Sequence, residues 1–332
     1  MQEQERQKPS LAIIKELQER SKQCHEFVRS SFRSERIEHP ELRKALEHYF
    51  SYWNDFTHPG LFSIAFEASG GKPDKALRPQ AAIAMIAAGF DIHDDIIDKS
   101  LKKHDHYTVL GKYGQDLSLL LGNAFLIEGL TLLSESTVEL LSEKQREIFR
   151  VVKERLFEVG NAHALELQMR GRFDVSPDRY LHVLEMKAAG VELDMHIAAL
   201  MAGGSGKKVG VLKEYGRSIG ILATLREEFV DVFEGEELSR RVRDETLPLP
   251  LMFALQDPKL KERIMKILKK KKIGSVDIDE LASLVLDMEP VDKLKKRIEK
   301  LCRRATVLAH QTEHRKSEKL LRSLAQSMLE DL

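Results

Sequence analysis

The sequence predicts an all-α protein, and three observations carry that reading. Apolar residues recur with helical spacing almost throughout, no series of alternating residues with hairpin turn signals occurs, and Gly or Pro clusters punctuate the periodic segments. Residues 11–33 and 40–54 read as amphipathic helices. Pro59-Gly60 interrupts before an apolar run from Leu61 to Ala68. Gly70-Gly71-Lys72-Pro73-Asp74 makes a turn, and Lys75 to Lys99 then form a core helix. Further helices fall at about 114–134, 143–170, 177–203, 208–233 and 247–256. Ser142, Gly171 with Pro177, Gly203-Gly204-Ser205-Gly206, and Pro248 with Pro250 bound them. From Pro258 the chain turns Lys-rich (Lys269–Lys272, read as solvated surface), then carries amphipathic helices at about 278–287 and 291–330. The whole reads as one domain over 1–332, with its core at about 40–256 and a peripheral helical extension over 257–332.

Composition narrows the function. A formal net charge of +0 over 332 residues gives no support for nucleic acid or an anionic membrane as the main partner. Cys24 and Cys302 lack metal-ligand spacing and read as ordinary thiols. Met1–Pro9 is polar and charged rather than a signal peptide, and no apolar run is read as approaching the ~18 residues of a membrane span. A soluble cytoplasmic protein is the expectation.

The core helix holds the most informative stretch, Ile92-His93-Asp94-Asp95-Ile96-Ile97-Asp98. Asp94, Asp95 and Asp98 share nearly one helix face, since residues three and four apart are neighbours. Carboxylates crowded on a core-facing helix repel each other, and burying them unpaired is costly. A divalent cation resolves that conflict, and hard oxygen ligands suit Mg²⁺ holding a substrate phosphate. Arg226-Glu227-Glu228-Phe229-Val230-Asp231 repeats the same acidic spacing on a later helix. If the two helices face each other, they could clamp metal ions on either side of a diphosphate.

On these residues the chain resembles the trans-isoprenyl diphosphate synthase (polyprenyl synthetase) family. Residues 87–100 look like its first Asp-rich helix, and Lys102-Lys103 stand where it has paired arginines. Tyr107–Gly114, Leu121-Gly122-Asn123, Val175–Ala189 and Leu247–Leu255 resemble later segments in order. The resemblance implies an isoprenoid synthase-type helical bundle around a central cavity, and members that usually dimerise. It implies Mg²⁺ held by Asp94, Asp95, Asp98, Glu227, Glu228 and Asp231, with an allylic prenyl diphosphate bound through Lys102, Lys103 and Lys187. Of these, Lys102 and Lys187 are the expected catalytic residues, stabilising the departing pyrophosphate while isopentenyl diphosphate attacks the allylic cation.

The departures fall mainly on the isopentenyl diphosphate side. The family's Gly-Gly-Lys-Arg-x-Arg-Pro motif aligns with Trp53–Pro59, where Asp55 replaces the lysine and His58 the last arginine. A third contact, a histidine, is Ala87 here, which leaves Lys103. Glu227 and Glu228 reach further than aspartates, Thr224 stands for Gln, Asn123 for Asp and Ala188 for Thr. The loop after the second motif is shortened to 234–246, with Arg240, Arg241 or Arg243 as compensating cations. Phe90, one turn before Asp94, is a wall limiting product length or plain core packing. Asp91 is read as surface-turned, and His93, His104 and His106 match no compact zinc site.

Three functions follow: a short-chain prenyltransferase, an enzyme that ionises an allylic diphosphate without condensation, or a non-catalytic regulatory subunit of a heteromeric synthase; the expected assembly is a homodimer or a heterodimer with a related synthase.

Overall fold

The computed structural model describes residues 9–103, 105–270 and 273–330, so His104, Lys271 and Lys272 lie outside it. Helices dominate as expected. They are α1 (Pro9–Ser34), α2 (Pro40–Tyr52), α3 (Thr57–Ala68), α4 (Leu77–Ile97) and α5 (Val109–Ser136). Next come α6 (Ser142–Leu167), α7 (Pro177–Lys187), α8 (Ala189–Met201), α9 (Gly206–Phe233) and α10 (Gly235–Asp244). The last five are α11 (Leu249–Ala254), α12 (Pro258–Leu268), α13 (Ser275–Val285), α14 (Glu289–His310) and α15 (Arg315–Ser327). Among the described residues the strands are one two-residue antiparallel pair, Lys102–Lys103 with His106–Tyr107.

Several boundaries differ from the periodic reading. The segment 234–246 is not a loop, because α10 forms there. Asp257 caps α12, its side chain accepting from the Lys259 amide, with Pro258 at the first helical position. The segment 177–203 breaks at Ala188, which the bare Cα of Gly220 meets so closely that an added Cβ would lie 2.8 Å away. The final helix is two, separated at Glu313, whose φ of 58° no helix accommodates.

The chain forms two compact units, neither contiguous in sequence. Unit 1 comprises Met1–Val152, Leu193–Lys213 and Thr312–Leu320, and unit 2 comprises Lys153–Glu192, Glu214–Gln311 and Leu321–Leu332.

In unit 1, α4 and α5 pack backbone to backbone. A Cβ on Gly129 would sit 2.8 Å from Ile86 and 2.9 Å from the Ala82 carbonyl, and one on Gly89 would sit 2.7 Å from Leu126. Only the missing side chains allow that approach. The small residues of 81–88 lie at this close helix packing. α5 is 28 residues long and apolar enough to cross a membrane by length and composition, contrary to the expectation that no run approached that size. Its glycine face is spent on α4, and Gly114, at φ 81°, interrupts its helical geometry. An aromatic cluster completes the core: Phe125 lies 4.2 Å from Phe32 and 5.2 Å from Tyr49, centroid to centroid. Such rings combine large buried area with edge-to-face attraction. Tyr49, fully buried, carries that core to the acidic helix by donating its hydroxyl to Asp91 at 3.4 Å.

In unit 2, α14 buries Val291, Leu294, Ile298, Cys302, Ala305 and Leu308, a stripe of helical period. Cys24 and Cys302 are both buried free thiols. In the tail, Lys269 is exposed and Lys270 pairs with Asp277.

Candidate active site

The first acidic motif sits where α4 ends. Asp98 is its C-cap, and Lys99 follows at φ 54°. The Ser100 amide donates back to the Asp95 carbonyl at 2.9 Å and the Lys99 amide to Ile96 at 3.3 Å, the paired bonds of a Schellman ending. That ending turns the chain into the hairpin at once, so Lys103 reaches back to α4. Its Nζ lies 2.6 Å from Asp91 Oδ1 and 2.9 Å from Asp95 Oδ1. Lys102 instead lies over the Tyr107 ring, 4.5 Å from the centroid. Asp94 and Asp98 are half-buried and Asp95 is buried. Burial pushes the Asp95 pKa up to about 7 against the pull of Lys103. Burial also works against the Lys103 ammonium, but Asp91 and Asp95 outweigh it and raise its pKa. Asp91 is therefore not simply surface-turned; it shares a lysine with the motif.

Elsewhere in unit 1, Asp55 and His58 are both engaged. Asp55 Oδ1 accepts from the Thr57 amide at 2.9 Å and the His58 amide at 3.4 Å, tying down the start of α3. His58 Nδ1 lies 2.6 Å from Oδ2 of Asp194, a buried residue of α8. Burial lowers the His58 pKa, but Asp194 and Asp55 outweigh it and bring it to about 10. Burial pushes Asp194 up, opposed by His58. The short contact sets the direction that matters: the imidazolium is held protonated against a carboxylate.

The second motif lies in unit 2 and is a closed network around Arg241 of α10. Glu228 Oε1 accepts from the Tyr180 hydroxyl at 2.9 Å and from Arg241 at 3.0 Å, while Oε2 accepts from the Leu249 amide at 2.6 Å. Asp231 Oδ2 accepts from Arg241 at 2.5 Å. Burial raises the pKa of both carboxylates while Arg241 pulls them down. A guanidinium stays protonated at any ordinary pH, so the pairing persists. Glu227 is different. It is open to water yet enclosed by protein, and burial with Asp231 and Glu228 beside it pushes its pKa up to about 7. Lys187, at the end of α7, pairs with Glu166 of α6.

The polyprenyl synthetase family profile matches residues 39–285. The chain belongs to that family. The short chain isoprenyl diphosphate synthase of Methanothermobacter thermautotrophicus is 26% identical over 266 residues, spanning 78% of this chain and 80% of that protein. Among solved structures, the geranylgeranyl pyrophosphate synthetase of Pyrococcus horikoshii superposes with a TM-score of 0.81 at 19% identity, over 97% of this chain and 99% of that one. The geranylgeranyl pyrophosphate synthase of Corynebacterium glutamicum, solved with isoprenyl diphosphate and magnesium, gives 0.77 at 20% identity, over 96% and 99%. The fold is that of these all-α synthases.

Within this polyprenyl synthetase, α4 brings Asp94, Asp95 and Asp98 together, and α9 does the same for Glu227, Glu228 and Asp231. Among the described residues no group of three or more His, Cys, Asp or Glu side chains is arranged to hold a metal ion. Phe90 is half-buried on α4. Arg240 pairs with Glu237 and Glu245, and Arg78 with Glu135, so neither is a spare cation. His93 approaches the Leu119 carbonyl and His106 stacks on Tyr52. Sequence reading missed Asp194, Glu166 and Tyr180. Each is a single polar residue in a helix, with its partner far off in sequence and no spacing to flag it.

Proposed function

We propose that this chain is a Mg²⁺-dependent short-chain prenyltransferase that binds an allylic prenyl diphosphate and condenses it with isopentenyl diphosphate, which it holds weakly. Metal ligands come from Asp94, Asp95 and Asp98 and from Glu227, Glu228 and Asp231, while Lys102, Lys103 and Lys187 serve the diphosphate. The observation that carries the reading is the motif at the end of α4, with Asp95 fixed by Lys103 and Asp94 and Asp98 half-buried beside it. Half-buried carboxylates one helical turn apart are hard oxygen donors of the kind Mg²⁺ takes. Bound Mg²⁺ would neutralise charge on a leaving diphosphate. Glu228 accepts hydrogen bonds on both oxygens, which also ties α9 to Arg241 and the Leu249 amide. Glu227 is the water-accessible carboxylate of that motif.

A second reading rests on Asp55 and His58. Where the family resemblance calls for cations, one is a carboxylate accepting from backbone amides at the start of α3 and the other an imidazolium neutralised by Asp194. On that reading the chain ionises an allylic diphosphate without condensation. Exposed Leu119, Leu120, Ile127 and Leu130 along α5 favour a homodimer or a heterodimer with a related synthase.

The test is incubation of purified protein with Mg²⁺ and geranyl or farnesyl diphosphate, with and without labelled isopentenyl diphosphate. Label in a longer diphosphate supports the prenyltransferase. Pyrophosphate release without incorporation supports the second reading. Turnover that appears only beside an active synthase indicates a subunit role.

A further inference from the structure

Helix α9 has another face that the acidic motif does not use. Arg226, Phe229, Val230 and Phe233 stand three, four and seven residues apart and so line one side of the helix. In unit 2 they wall a cavity of about 420 Å³, completed by Glu234 before α10, Leu286 after α13 and Lys295 of α14. That volume is within the range of small-molecule sites.

The lining is largely apolar and includes two cations, Arg226 and Lys295. Arg226 Nε is buried without a hydrogen-bond partner, and among the described residues Arg226 forms no ion pair. Lys295, half-buried, reaches only the Leu286 carbonyl, at 3.4 Å. Other half-buried arginines of the same unit are matched by acids: Arg217 bonds to Glu158 and Glu192, and Arg155 to Glu158. Withdrawing a cation from water without a partner is unfavourable. Of the charged side chains lining the cavity, Arg226 and Lys295 are cations and Glu234 is the carboxylate, so the lining carries a positive excess. A guanidinium fork and an ammonium lining one cavity are the groups that match the oxygens of a phosphate. Phe229, at 3% exposure, with Val230, Phe233 and Leu286, offers an adjoining surface for a hydrocarbon chain.

We infer that this cavity binds a single-chain amphiphile with a phosphate head, the head on Arg226 and Lys295 and the chain along Phe229, Val230, Phe233 and Leu286. The site goes beyond the proposed catalysis and does not require it. Arg226 directly precedes Glu227, so occupancy bears on the helix that presents the second motif.

Calorimetric titration of the full chain in EDTA, which silences metal-dependent binding, tests this. The probes are farnesyl monophosphate and dodecyl phosphate, with dodecanol and inorganic phosphate as the headless and tailless controls. Saturable binding of the amphiphilic phosphates alone is expected. It should weaken about tenfold in Arg226→Ala and again in Lys295→Ala. It should vanish in Val230→Trp, which fills the cavity, and persist in Asp94→Ala. Tighter farnesyl than dodecyl binding assigns the occupant to prenyl phosphates, and equal affinity to alkyl phosphates generally; both support the site. Thermal melts confirm that each variant folds. Absence of binding by either amphiphile, full affinity in the Arg226→Ala/Lys295→Ala pair, inorganic phosphate binding as tightly, or loss in Asp94→Ala overturns it.

Discussion

His58 Nδ1 lies 2.6 Å from the carboxylate of Asp194, and this pair occupies a place where the family resemblance calls for an arginine facing the second substrate. The charge has been turned inward. At that place the imidazolium is neutralised by Asp194.

The same pair makes stability pH-dependent. The His58 pKa is about 10 in the folded chain, against an ordinary value near 6.5. A raised pKa means that the folded state holds the proton more tightly. The contribution is therefore complete below about pH 6.5 and lost as pH rises toward 10. We expect urea unfolding to show stability falling by about 1–2 kcal/mol more across that window than in His58→Gln. Parallel pH profiles for the two proteins would contradict it.

Restoring cations should reopen the second diphosphate site. The double variant Asp55→Lys/His58→Arg keeps a positive partner for Asp194 and adds a lysine. It sacrifices the Asp55 hydrogen bond to Thr57, at about 1 kcal/mol of stability. The KM for isopentenyl diphosphate is expected to fall about tenfold, with kcat little changed. An unchanged or higher KM refutes the charge argument.

Arg241 ties Glu228, Asp231 and Tyr180 into one buried network. Arg241→Met strands two carboxylates and should cost about 3–5 kcal/mol at neutral pH. Because burial already raises both pKa values, the stranded acids protonate readily, and the deficit should shrink on going from pH 8 to pH 5. Denaturant melts at both pH values check this; a deficit that grows in acid contradicts it.

Lys99 ends α4 at φ 54°, a conformation that costs a side-chain-bearing residue roughly 1 kcal/mol. Lys99→Gly should raise stability by about that amount, seen as a higher melting temperature. A lower one would mean that the lysine side chain itself stabilises the turn.

Local pattern explains what was legible in the sequence. Asp94, Asp95 and Asp98 lie within one helical turn and a residue, so their shared face follows from spacing alone. The same holds for Glu227, Glu228 and Asp231. α12 carried a readable start in Asp257-Pro258, though the Lys-rich composition around it masked the signal. The ion pairs were not legible. Asp194 meets His58 across 136 positions, and nothing in either neighbourhood announces the other. Arg241 read as a compensating substrate cation because composition shows its charge and not the acids it faces. At the Ala188 break the chain meets a glycine thirty-two residues later, a tertiary contact that periodicity cannot contain.

The central claim is that Asp94 and its neighbours on α4 hold metal for an allylic diphosphate. Its most direct test is pyrophosphate release from geranyl diphosphate in the presence of isopentenyl diphosphate and Mg²⁺, measured for the unmodified chain and for Asp94→Ala. The account predicts metal-dependent release in the first, abolished by EDTA and reduced at least about a hundredfold in Asp94→Ala. Equal release from the two proteins, or release that survives EDTA, would contradict it.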